Sequence, residues 1–167
     1  SAAMLFTLGF IGLFLIGGLT GLFLATMAVN VHLHDTYFVV AHFHYVMVGG
    51  MMFAWLAGLH FWWPKMFGKL YNEFWAKVGA VIIFLGFNFT FFPQFIAGYL
   101  GMPRRYHVYD VAYQPFQMLS TVGAFFMGVG LIICFVTLAS SFFSKRTCGR
   151  NPFHATGLEW NQADSPP

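Results

Sequence analysis

Four long apolar runs, separated by short polar breaks, set the pattern of this chain. They cover about 2–29, 36–63, 78–100 and 111–143, and from Ser144 the composition turns polar through to residue 167. Each run is long enough to cross the hydrocarbon of a bilayer as a helix, which takes about 20 residues. The pattern therefore predicts an all-α membrane protein of four transmembrane helices with a polar tail over 144–167. Within the first run, Gly9, Gly12, Gly17, Gly18 and Gly21 are expected to let neighbouring helices approach closely. Asn30 to Asp35 read as a short polar connection at one membrane surface. Trp62, Trp63 and Pro64 are expected to close the second helix at the interface, with His60 as a polar residue near its end. Pro93, in Phe91-Phe92-Pro93, removes a backbone donor and predicts an interruption and kink in the third helix.

Composition agrees with a membrane setting. The chain is 59% hydrophobic, 21% aromatic and 8% charged, with a mean hydropathy of +0.70, against roughly 25% charged residues in an ordinary soluble domain. The net charge of +3 is spread over loops without a basic cluster, which argues against a nucleic-acid partner. Cys134 and Cys148 form neither a disulfide framework nor a metal-type CxxC. Ser1-Ala2-Ala3-Met4 leads into a run too long for a signal-peptide core, and reads as the start of a transmembrane helix. Lys65, Lys69, Lys77, Lys145, Arg146 and Arg150 fall on one side of a four-span arrangement, which the positive-inside rule makes the cytoplasmic or matrix side, with both termini there. Arg104 and Arg105 are the exceptions. They fall on the opposite side, where His32, His34 and Asp35 also lie.

The segment 32–47 changes the picture. It reads HLHDTYFVVAHFHYVM and places four histidines and an aspartate in otherwise apolar surroundings. Ionisable residues inside a membrane span are expensive and point to function. His42 and His44 are two residues apart, so on a helix they lie roughly 200° apart around the axis and only about 3 Å apart along it. They cannot share one metal ion as an i, i+4 pair can. Each faces its own partner, and Phe43 lies on a third face between them.

A ligand that meets these demands is haem. Its iron takes an axial histidine, its edge is apolar, and its propionates are anionic groups suited to the guanidinium forks of Arg104 and Arg105. Two haems on opposite sides of one helix would lie close enough for rapid electron transfer. At the aqueous end, His34 and Asp35 suit a magnesium or manganese ion completed by ligands from elsewhere. Two other classes use buried histidines: a membrane electron-transfer anchor of the b type and a transporter. An anchor typically takes two histidines from different helices to one haem, and a transporter carries no haem.

These residues also carry a resemblance. His34-Asp35-Thr36-Tyr37-Phe38-Val39-Val40-Ala41-His42-Phe43-His44-Tyr45-Val46 resembles the signature of subunit I of the haem-copper respiratory oxidases, and Gly101-Met102-Pro103-Arg104-Arg105-Tyr106 resembles a second motif of that family. Phe89 to Gln94, Asn151-Pro152, Leu158-Glu159-Trp160 and Ser165-Pro166-Pro167 resemble it too. The resemblance implies that His42 is the axial ligand of the high-spin haem at the oxygen-reducing site, and so catalytic. It implies that His44 is one of two axial ligands of the low-spin haem, with Phe43 packed between the two cofactors. Arg104 and Arg105 would hold the propionates, and His34 and Asp35 would bind magnesium or manganese at the interface with subunit II. Asp35, where quinol-oxidising relatives commonly carry asparagine, favours cytochrome c as electron donor over a quinol-oxidising or nitric-oxide-reducing relative. Asn30, where many relatives have an acid, and the additional His32 depart from the pattern.

The resemblance further implies two a-type haems, coupled proton translocation, and a place in a bacterial plasma membrane or mitochondrial inner membrane. Only the last four of the family's twelve helices are represented. Nothing here resembles the copper-binding histidines or the second ligand of the low-spin haem, so copper belongs to the other part of the site. The expected partners are that N-terminal part of subunit I, as a separate chain or missing fragment, together with subunits II and III, cytochrome c and membrane lipids.

Overall fold

A computed structural model describes residues 1–149 and 151–161. Arg150 and Ser165–Pro167 lie outside the described residues. Helix α1 spans Ala2–Ala25, α2 Met27–Leu33 and α3 Tyr37–Val46. A π-helical stretch, Met47–Met52, joins α3 to α4, Phe53–Phe67. Helix α5 spans Glu73–Tyr99 and α6 Gln114–Ser141, the latter entered through a 3₁₀ turn at Val111–Tyr113. A short helix α7, Leu158–Asn161, lies in the tail. Among the described residues, four helical stretches are long and apolar enough to cross a membrane: Ala2–Ala25, Tyr37–Phe67, Glu73–Tyr99 and Val111–Ser141.

Several expected boundaries move, each for a local reason. The first span stops at Ala25 because Thr26 adopts an extended conformation, and Asn30 then lies within the separate helix α2 instead of a loop. The second span continues past Trp63 and Pro64 to Phe67, where Gly68 ends it in the left-handed conformation (φ 63°). The third begins at Glu73, capped by the Asn72 side chain, which accepts from the Phe74 N–H. It runs through Pro93 without the expected interruption. The Ser120 hydroxyl of α6 donates to the Thr90 carbonyl (2.7 Å), so the backbone just before the proline is supported from the neighbouring helix. The fourth span ends at Ser141, two residues early.

Helix α5 is the centre of the bundle. One face packs on α3 and α1, burying Phe6, Leu13, Tyr45, Phe53, Ile83 and Phe87 in one cluster. The other packs on α6 along a seam of small residues. Gly86 lies so close to α6 that a Cβ there would be 2.5 Å from the Met127 nitrogen, and one at Gly123 would be 2.5 Å from the Thr90 nitrogen. Seven residues along each helix, Gly79 and Gly130 repeat the arrangement, each against the other's carbonyl. Lipid gives no hydrophobic drive for helix association, so close backbone contact supplies it by dispersion. In α1 the glycines divide. Gly9 packs on the Phe53 ring and Gly17 on Val46, whereas Gly12 and Gly18 have nothing among the described residues within 4 Å of where a Cβ would lie.

The basic residues gather at one end. Lys69 Nζ donates to the Ser144 carbonyl (3.1 Å), the Leu70 N–H donates to the Arg146 carbonyl (3.3 Å), and Lys77 pairs with Glu73 (3.7 Å). The tail is less polar in its packing than its composition suggests. Phe153 and the buried Trp160 pack on Phe61 of α4 at centroid distances of 5.5 and 5.4 Å. Cys134 and Cys148 are both free thiols.

Gly123→Ala is expected to force α5 and α6 apart and to cost about 1–3 kcal/mol. Gly12→Ala, on an open face, should be neutral or stabilising by up to ~1 kcal/mol. Thermal unfolding of the two variants in detergent measures both. Equal effects would refute the seam.

Candidate functional site

Helix α3 starts at the end of the bundle opposite the Lys65–Lys77 turn, termed the outer end, and its register fixes the side to which each imidazole is attached. The Thr36 side chain caps it by accepting from the Phe38 N–H (3.2 Å), and the Tyr37 N–H donates to the Met102 carbonyl (3.0 Å). From that anchor, helical geometry sends His42 and His44 to opposite sides. His42 faces α1, with Nδ1 3.2 Å from the Thr20 hydroxyl and its ring against Gly21, where a Cβ would lie 3.0 Å from Cε1. His44 faces α5, where its ring stacks on Phe91 at 4.2 Å and 17°. Its Nδ1 lies 2.7 Å from the Val40 carbonyl one turn back, which requires a proton on Nδ1. Phe43 stacks on His44 at 4.5 Å, so it belongs to the His44 side more than to a neutral third face.

In both residues Nδ1 is engaged and Nε2 has no hydrogen-bond partner among the described residues. This is the arrangement of a metal-ligating imidazole, in which one ring nitrogen is held by the protein and the other is left to coordinate. The residues present fit axial ligation of haem iron on that count. His60, in contrast, is fully buried in contact with Phe6 and Tyr71, and is not the interfacial residue its position suggests. Its Nδ1 bonds to the Leu56 carbonyl at 2.8 Å, and it lies four turns along the same span from His44.

At the outer end the two polar segments join. Arg104 donates through Nε (2.8 Å) and lies within 2.7 Å through Nη2 of the same oxygen, Asp35 Oδ1, while its backbone N–H donates to the Asp35 carbonyl (2.9 Å). Thr36 and Pro103 form an antiparallel bridge beside this pair, and the Tyr37 hydroxyl donates to the Tyr106 hydroxyl (3.1 Å). The Arg104 hydrogen bond holds the Asp35 carboxyl below the usual carboxylate range. Partial desolvation opposes this, and His34, Arg104 and Arg105 add favourable charge. Asp35 Oδ2 lies 3.4 Å from His34 Nε2. Those two atoms could share a hard cation, but no group of three or more His, Cys, Asp or Glu ligands exists among the described residues, so further ligands would have to come from outside the chain.

The two arginines are not equivalent. Arg104 already has an anionic partner within the chain, Asp35. Arg105 is exposed, adopts φ 60°, and makes no hydrogen bond or ion pair among the described residues. Asp35 is also left-handed, with φ 55°. Sequence reasoning missed Thr20, Gly21 and Phe91 as neighbours of the imidazoles. Thr20 is one of three threonines in a charge-free run, with Thr7 and Thr26, and nothing in the sequence sets it apart from them.

Comparison with known proteins gives the family. The family described as Cytochrome C and Quinol oxidase polypeptide I matches residues 1–126. Cytochrome c oxidase subunit 1 of Bacillus subtilis is 44% identical over 170 residues, covering 100% of this chain. Quinol oxidase subunit 1 of the same organism is 48% identical over 146 residues, covering 86% of this chain. The chain spans 27% and 22% of the length of these two relatives. Among solved structures, a chain of a heme-copper terminal oxidase dimer determined by cryo-EM matches with a TM-score of 0.78 at 21% identity, over 88% of this chain and 28% of that one, which shows a shared fold. With four apolar helices of this arrangement, the chain is an integral, multi-pass membrane protein, and it belongs to the family of haem-copper oxidase subunit I.

Proposed function

We propose that this chain is the C-terminal part of the catalytic subunit of a proton-translocating cytochrome c oxidase. The observation that carries the reading is the pair His42 and His44, on opposite sides of α3, each held at Nδ1 and without an Nε2 partner among the described residues. In this reading His42 would hold the high-spin haem iron, and His44 would be one of two residues that hold the low-spin haem iron. Bound a-type haems, with copper held by the N-terminal part of subunit I, would supply the electron transfer and the reduction of oxygen to water.

The chain's own residues bind and orient. Phe43 and Phe91 stack on the His44 imidazole, fix its plane and exclude water from it. Arg105, which makes no hydrogen bond or ion pair among the described residues, is available to a propionate, while Arg104 would serve a propionate and Asp35 together. Asp35 Oδ2 and His34 Nε2 are the two ligands offered to magnesium or manganese, with subunit II completing the shell. Electrons would pass from the haem held by His44 to the haem held by His42, two residues that lie about 3 Å apart along the helix axis. Subunit III, cytochrome c and lipids complete the expected partners, in a bacterial plasma membrane or mitochondrial inner membrane, with the basic end of the bundle on the cytoplasmic or matrix side.

A second reading, with quinol as donor, is favoured by the 48% identity to a relative named quinol oxidase subunit 1. Asp35 favours cytochrome c. Turnover of the assembled oxidase with reduced cytochrome c against turnover with a quinol decides between the donors.

His42→Ala in the assembled oxidase is expected to abolish oxygen reduction and the spectral change on adding carbon monoxide, and His44→Ala to remove the low-spin absorption band. Identical losses in both variants would sink the two-haem assignment. Asp35→Asn, which keeps a residue tolerant of φ > 0, is expected to weaken manganese binding at least ~10-fold by electron paramagnetic resonance.

The Arg104–Asp35 pair also has a pH signature. The Asp35 carboxyl is lowered in the folded state, so its stabilisation is full above the ordinary carboxylate value of about 3.9. It is lost as pH falls from there through the lower folded value. In chelator-treated protein, unfolding between pH 5 and 7 should not differ in its pH dependence between Asp35→Asn and the parent, and the two should converge at still lower pH.

A further inference from the structure

His42 is held differently from the other two histidines of its span. His44 and His60 each direct Nδ1 at the carbonyl one turn back, at 2.7 and 2.8 Å. His42 reaches across to another helix, where its Nδ1 meets the Thr20 hydroxyl at 3.2 Å. That hydroxyl also lies 2.9 Å from the Ile16 carbonyl and 2.9 Å from the Gly17 carbonyl.

The proton positions follow from counting donors. A threonine hydroxyl has one proton, and a carbonyl oxygen can only accept. The Thr20 proton therefore goes to the Ile16 and Gly17 carbonyls, since otherwise oxygen lone pairs would face each other at 2.9 Å in a medium without water. The contact with His42 is then completed by His42 Nδ1–H donating to the Thr20 oxygen. Nδ1 carries the ring proton, and Nε2 presents a lone pair. Gly21 makes this seat possible, because any side chain there would press on the imidazole.

The two acceptors differ in strength. A backbone carbonyl at 2.7 Å draws the Nδ1 proton harder than a hydroxyl at 3.2 Å, and so leaves more electron density on the ring. We propose that Thr20 is a positioning residue for His42: it fixes the tautomer, aims Nε2, and keeps electron donation from His42 to a bound iron weaker than that from His44. A weaker axial donor suits an iron that keeps an open position, and a stronger one suits a low-spin iron. This inference rests on His42 being an axial haem ligand.

The test uses the complete oxidase assembled with this chain, and reads the iron–histidine stretching band of the reduced five-coordinate haem by resonance Raman spectroscopy. Thr20→Val is expected to shift that band to lower frequency and to leave the low-spin haem bands in place, while Thr20→Ser, which keeps the hydroxyl, returns it to the parent position. Should the valine variant not assemble, Thr20→Ala removes the same hydroxyl with less bulk and carries the same expectation. An unmoved band in a hydroxyl-free variant, with the band lost in His42→Ala, overturns the role of Thr20 and leaves the haem-ligand reading intact. A band that survives His42→Ala overturns that reading, and the inference with it.

Discussion

Hydrocarbon offers no hydrogen-bond partners, so every polar group within a span has to find one inside the protein. The spans satisfy this mostly by bonding side chains back to their own helix. Thr7, Thr90 and Thr121 donate to carbonyls one turn earlier, and Asn88 does the same while accepting from Tyr45 across the α3–α5 interface. The imidazoles obey the same constraint. Once each Nδ1 is committed to a carbonyl or hydroxyl, the other ring nitrogen is fixed in protonation; that of His60 is buried without a partner, and those of His42 and His44 have none among the described residues. The chemistry proposed for them grows out of the requirement that stabilises the bundle.

The outer end works by a different force. There the chain meets water, and two short segments remote in sequence are tied by a charge-assisted pair, a backbone hydrogen bond and an isolated bridge. Asp35 is 54% exposed, so the ion pair by itself is screened and modest. Its role is geometric. With Asp35 and Arg105 both left-handed, at on the order of 1 kcal/mol of strain for a residue such as arginine, the tie holds α3 at a fixed depth and presents the imidazole of His34 and the guanidinium of Arg105 on the same surface.

Helix α5 connects these two regions. It carries Phe91 against His44 on one face and the glycine seam against α6 on the other, so the position of the His44 pocket depends on how closely two backbones approach on its far side. Glycines 79, 86, 123 and 130 thus bear on the site at a distance.

The four helices and the opposed imidazoles were legible in the sequence because each rests on periodicity alone: an apolar run of membrane length must be helical, and two residues apart on a helix means opposite sides. The family motifs were equally legible, being contiguous. Helix ends were not, because Thr26, Gly68 and Asn72 stop or start helices through backbone conformation and capping that apolarity does not report. Nor was it visible which glycines pack. Gly12 and Gly18 look no different from Gly86 and Gly123, and only the relative placement of helices decides which of them meets a neighbour. The same holds for Arg104 with Asp35, Thr20 with His42 and Phe91 with His44. Sequence determined what each helix carries and on which side, since that is a property of one element. Tertiary structure decided what each side faces, since a contact belongs to two.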